Sequence, residues 1–156
     1  MGYDLTNDSG GSFDWKSLGW WHLLCIAQRY GWTPAGTVTP DDGEDEWDGN
    51  YFHSLGQQVT AADAAALAAA LRRFADDARR EEVAGEVAAQ MQRAVDSPPQ
   101  GDPSAMDMIA YPLEFVRGLL QQFGHSSVGR RHFDAKGDRY LAQFIEFCGA
   151  GAFKIE

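Results

Sequence analysis

The chain has 156 residues and a formal charge of −10, with 44% apolar and 12% aromatic residues. This length suits one domain rather than two, and the apolar fraction is enough for a packed core, which excludes wholesale disorder. The acidity excludes broad binding to nucleic acid or to an anionic membrane, because both need a positive surface.

Residues 1–14 are polar and Gly-rich and read as a poorly ordered lead-in, leaving a single globular domain over 15–156. They lack the basic and apolar runs of a secretory signal. Met1-Gly2 with Thr6 and Asn7-Asp8-Ser9 match only the permissive myristoylation and glycosylation patterns. A helix is predicted from about Trp15 to Tyr30. Leu18, Trp21 and Cys25 share one face with Leu24 beside them, and Trp20, Leu23 and Ala27 widen it toward deep burial. Gly31 suits the left-handed position after the helix, Trp32 packs back on the last turn, and Pro34 forbids continuation.

Between Ala35 and Val59 the chain changes character. Thr37-Val38-Thr39 reads as a short extended piece. Asp41, Asp42, Glu44, Asp45, Glu46 and Asp48 then crowd together without a basic partner. Trp47-Asp48-Gly49-Asn50-Tyr51-Phe52 joins Asp-Gly turn chemistry to β-prone aromatics, and Gly56 with Gln57-Gln58-Val59 is expected to close a small hairpin.

Thr60-Ala61-Ala62-Asp63 resembles a capping box, with Asp63 in the place of the usual Glu, ahead of an Ala-rich helical stretch. Leu67, Leu71, Phe74 and Ala78 form one apolar row, and Val83, Val87 and Met91 form another on the opposite face, so a break is expected near 76–82. The prolines of 96–103 make a loop. A helix from Pro112 to Phe123 carries Leu113, Val116, Leu120 and Phe123, with Gly124 as its cap. Asp134 caps a last helix bearing Leu141, Phe144, Ile145 and Cys148, closed by Gly149. These four residues are expected to pack on Trp21 and Leu24 or on Leu120 and Phe123. Phe153 and Ile155 alternate with polar residues as a final strand. The expected fold is α+β: a mainly helical domain of about four to five helices, with a small sheet from the 37–59 region and the C-terminal strand.

Four stretches carry a resemblance: Tyr30-Gly31-Trp32-Thr33-Pro34-Ala35-Gly36-Thr37, Asp48-Gly49-Asn50-Tyr51, Gly56-Gln57-Gln58-Val59-Thr60, and the tail from Phe144-Ile145-Glu146-Phe147-Cys148 through Phe153-Lys154-Ile155-Glu156. In these the chain resembles a family of small uncharacterised bacterial proteins. The resemblance implies no activity and transfers no catalytic residue. The same positions also suit caps, turns and core aromatics.

No constellation of metal or catalytic residues is complete. Aligning Gly49 with the glycine of a calcium loop puts Glu44, Glu46 and Asp48 at its first, third and fifth positions, but Leu55 stands where the bidentate Glu belongs. His22 and Cys25 are spaced to share a metal on a helix, yet a structural zinc needs two further ligands, and His125, His132 and Cys148 would have to supply them through the tertiary fold. Ser126 and Ser127 beside His125 lack a nucleophile elbow, and Gly129-Arg130-Arg131-His132 is no P-loop. The pairs Arg72-Arg73 and Arg79-Arg80 lie amid Asp76, Asp77, Glu81 and Glu82, as on a solvated salt-bridging face. Two cysteines make no disulfide framework.

These features point to a non-catalytic, cytoplasmic, acidic binding protein of immunity or antitoxin type that masks a basic protein, with no metal or cofactor and no nucleic-acid or membrane partner. Its binding residues would be Asp42, Glu44, Asp45, Glu46, Trp47, Asp48 and Tyr51: the carboxylates steer a basic partner and the aromatics anchor it. The alternative is a small enzyme or ligand-binding domain with a site between the first helix and the sheet, built from His22, His53, Trp47 and Asp48.

Overall fold

The computed structural model describes residues 2–40, 47–96 and 135–156. The carboxylates of 41–46, the proline loop, the helix expected over 112–123, the Ser126–His132 loop and the Asp134 cap lie outside the described residues. Within them the chain is an α+β domain, about half helical, with one antiparallel sheet. The elements in order are β1 (Gly2–Asn7), β2 (Ser12–Lys16), α1 (Ser17–Arg29), β3 (Gln57–Val59), α2 (Ala61–Asp76), α3 (Arg80–Asp96), α4 (Ala135–Gly149) and β4 (Phe153–Ile155).

The lead-in expected over 1–14 is instead a β-hairpin. Tyr3, Leu5 and Trp15 are buried, Phe13 is half-buried, and the residues between them point to solvent. This is the period-two pattern of a strand with one covered face. The small polar residues that suggested disorder make the turn: Gly10 sits at φ +83°, and the Asn7 side chain accepts the Gly11 N–H at 2.7 Å. Gly2 lies so close to β2 that a Cβ there would meet the Trp15 carbonyl oxygen at 2.6 Å.

The sheet order is β2-β1-β4-β3, with every pairing antiparallel. The 37–59 region does contribute with the C-terminal strand, but not as the expected hairpin. Among its described residues only Gln57–Val59 is a strand, paired with β4, and Val38 adds an isolated bridge to Gln58. Residues 47–52 form no strand because side chains satisfy their main chain locally. Asp48 accepts from the Asn50 N–H, and Asn50 accepts from those of Phe52 and His53.

The break after Phe74 is where the reversal of apolar faces put it, with α2 ending at Asp76 and α3 beginning at Arg80. Leu67, Leu71 and Phe74 are buried from α2, and Val83, Val87 and Met91 from α3; Ala78 lies between the helices and is exposed. Helix α1 is buried almost around its circumference and ends as expected. Gly31 takes φ +95°, its N–H bonds to Gln28, and the Trp32 N–H reaches back to Ala27.

Helix α4 buries Leu141, Phe144, Ile145 and Cys148. Its main partners are α2 and β2. Phe144 meets Phe13, Trp15, Trp20 and Phe153, with ring centroids 5.2 to 6.5 Å apart. An aromatic layer thus joins this helix to the sheet and to Trp20 of α1, and the contact expected with Leu120 and Phe123 lies outside the described residues. Trp15, Trp20, Trp21 and Trp32 all belong to the core.

Candidate functional site

The described residues of the segment from Tyr30 to Thr60 carry little regular structure, so buried polar side chains must hold them. Asp63, in the first turn of α2 and 3% exposed, is their centre. Its Oδ1 accepts the Trp32 indole N–H at 2.9 Å and the Ala35 N–H at 3.4 Å, while Oδ2 accepts the Tyr51 hydroxyl at 2.7 Å. The Tyr51 oxygen in turn accepts the Gly36 N–H at 2.9 Å. Burial, and then the bond to Asp63, push the Tyr51 hydroxyl far above its ordinary pKa, so it stays a donor.

Thr60 caps the Asp63 N–H at 3.2 Å as expected, but the Asp63 carboxylate does not complete a capping box. It is committed to Trp32 and Tyr51, which lie 31 and 12 residues away. Trp32, Ala35, Gly36, Tyr51 and Thr60 thus have an architectural role, holding the segment to the start of α2. No local signal distinguishes a carboxylate that caps its own helix from one that receives distant side chains.

The other end of the segment bears on binding. Trp47 is half-buried; its indole N–H donates to the Thr37 hydroxyl and its ring meets His53 edge-on, 5.7 Å between centroids. The Thr37 hydroxyl itself donates to the Asn50 carbonyl at 3.0 Å. Asp48 is exposed, with one carboxylate oxygen holding the Asn50 N–H and side-chain amide. Of the sequence-derived binding set, Asp42, Glu44, Asp45 and Glu46 lie outside the described residues. Tyr51 is 1% exposed, so its ring belongs to the interior and not to a contact surface. Val38 at 48% and Leu55 at 60% are the exposed large hydrophobics of the described residues, and both belong to this segment. Sequence reasoning assigned neither to a contact surface, because a single apolar residue in a loop carries no periodic signal.

Of the alternative site, Trp47, Asp48 and His53 lie together, while His22 faces α3 instead. His22 is buried and its Nε2 lies 2.9 Å from the Ala84 carbonyl of α3. It sits two residues, or about 200°, around α1 from Trp20, whose indole N–H reaches the Tyr51 carbonyl at 2.9 Å. His53 is exposed beside Trp47. Burial pushes the Cys25 thiol to about 12 and the Cys148 thiol upward as well, away from the thiolate that a nucleophile requires. Among the described residues no group of three or more His, Cys, Asp or Glu is placed to hold a metal ion, and no helix is long and apolar enough to cross a membrane. Comparison with protein-family models, curated proteins and solved structures gives no significant match to this chain.

Proposed function

We propose that the chain is a non-catalytic protein-binding protein that engages a basic partner, in the manner of an immunity or antitoxin protein, through the acidic segment and its flanks. The observation that carries this reading is the placement of Val38, Trp47 and Leu55. In the sequence the exposed Val38 and Leu55 flank the run of carboxylates from Asp41 to Asp48, and the fixed, half-buried indole of Trp47 lies within it. Apolar anchors surrounded by charge are the usual make-up of a protein interface. The net charge of −10 selects a basic partner, since opposed charge speeds encounter and disfavours wrong partners. The binding set is then Asp42, Glu44, Asp45 and Glu46 as the steering rim, Asp48 beside them, and Val38, Trp47 and Leu55 as contact residues.

Stopped-flow association with the basic partner recovered by affinity capture tests the proposal. Neutralising Asp42, Glu44, Asp45 and Glu46 together should slow association and flatten its salt dependence, because exposed charges act over about 8 Å at physiological ionic strength. Trp47→Ala and Leu55→Ala should instead speed dissociation. Equal association rates and salt slopes for the wild-type and neutralised chains would reduce the acidic run to a solubility feature and overturn the proposal.

A further inference from the structure

We propose that a second surface, the cleft between β2 and α4, receives an arginine side chain from the same basic partner; the inference rests on the function proposed above. The cleft is shallow, about 540 Å³, and lies beside the β1–β2 turn. Phe13 and Asp14 line it from β2, and Tyr140, Gln143, Glu146 and Phe147 from α4. Tyr140, Gln143 and Phe147 follow one another at helical spacing, along a stripe beside the buried row of Leu141, Phe144 and Cys148. The Phe13 ring lies 4.4 Å from that of Tyr140 and 5.9 Å from that of Phe147, which gives the cleft an aromatic floor.

Among the described residues the charge of the cleft is one-sided: Asp14 and Glu146 are exposed carboxylates, and no described Lys or Arg side chain lines the cleft with them. Neither forms a salt bridge among the described residues, where such bridges join Arg29 to Glu86, Arg79 to Glu82 and Arg80 to Asp138. Lys16 and Arg139 are near in sequence but do not line the cleft. An incoming acidic group would therefore meet repulsion and an incoming cation attraction.

The form of the occupant follows from the sheet edge. β2 is the outermost strand, and its partner Asp4 spends its N–H and C=O on Glu156, on the β4 side. By antiparallel alternation the main-chain groups of Asp14 point outward. The Tyr140 hydroxyl donates to that outward Asp14 carbonyl, so the middle of the edge is already engaged and is a poor template for an added strand. Recognition falls to a side chain. A planar guanidinium stacks on aromatic rings and pairs with carboxylates in a fork, which fits this floor and rim better than an ammonium does.

The test is an NMR titration of the whole chain with a short Gly/Ser peptide carrying one central arginine, and with its lysine and citrulline analogues. The expected result is amide shifts at 11–14 and 140–147, several-fold weaker binding of the lysine peptide and loss of binding for the citrulline peptide. Both carboxylates are exposed, so Asp14→Asn with Glu146→Gln should keep the fold, checked by circular dichroism, while weakening the arginine peptide at least about fivefold. An unchanged affinity, or shifts confined to Trp47 and Asp48, would overturn the cleft while leaving the proposed function standing; salt-independent association with the captured partner would overturn the proposed function itself. Tighter peptide binding by the Arg130→Gln, Arg131→Gln variant would show that the chain's own arginines fill the cleft, and would also overturn the proposal.

Discussion

Removing the Asp63 carboxylate should loosen the hold of the 30–60 segment on α2, at a cost that the geometry lets one estimate. Asp63→Ala leaves two buried donors without an acceptor, the Trp32 indole N–H and the Tyr51 hydroxyl. Hydrogen bonds to a charged group contribute about 1.5–3 kcal/mol each, so losing the pair costs roughly 3–6 kcal/mol. Some of this returns, because the native state no longer buries a carboxylate, and a net loss of about 3 kcal/mol is expected. In a domain of this length that lowers Tm by roughly 6–12 °C. Tyr51→Phe, which keeps the ring and removes only the hydroxyl, should cost about 1.5–3 kcal/mol, since it also frees the Gly36 N–H. The two substitutions share one bond and must not add; a double-mutant cycle by urea denaturation, followed by tryptophan fluorescence, should give a coupling of about 1–2 kcal/mol. A loss below about 0.5 kcal/mol for Asp63→Ala, or additive single and double variants, would refute the reasoning, because surface changes without a structural role fall in that range.

Two further outcomes follow from packing and electrostatics. Phe144→Ala removes the ring that meets Phe13, Trp15, Trp20 and Phe153, and should cost about 3–5 kcal/mol in chemical denaturation; near-neutral stability would show that the aromatic layer collapses freely around the deletion. The Arg79 N–H, and after it the Tyr30 hydroxyl at 2.7 Å, hold the Asp77 carboxyl below its ordinary pKa. Such a carboxylate adds stability above its unfolded pKa and loses it as pH falls through the folded one, so Tyr30→Phe should raise the Asp77 midpoint toward the ordinary value and shrink that acid-sensitive contribution. Carboxyl-carbon NMR titration reads the midpoint directly, and an unmoved Asp77 would contradict the assignment.

The helices were legible because their signals are local. The α1 stop needs only Gly31, Trp32 and Pro34 in a row, and the break between α2 and α3 shows in the nine residues from Phe74 to Val83. The N-terminal hairpin was not legible for the same reason. Tyr3 and Leu5 make a very short alternation, set among glycines and polar residues that are equally at home in a loop, and only pairing with Trp15, Phe13 and Ile155 gives it meaning. Tyr51 was misplaced as a surface anchor because its neighbours are polar, while its own burial depends on Asp63 and Gly36. A carboxylate-rich run could be read from composition, but the exposure of Val38 and Leu55 on either side of it in sequence is a property of the folded chain.

The position of β4 also governs when the fold can form. This strand lies between β1 and β3, with main-chain bonds joining Asp4 to Glu156 in both directions, yet it follows every other described element in sequence. During synthesis the hairpin of β1 and β2 can close early, and α2 can nucleate from its own alanines. The sheet stays in two pieces until residues 153–155 have left the ribosome. Joining points so far apart carries a large loop-closure cost before any contact repays it. Until that segment is made the inner edges of β1 and β3 stay open, an arrangement that invites pairing between chains.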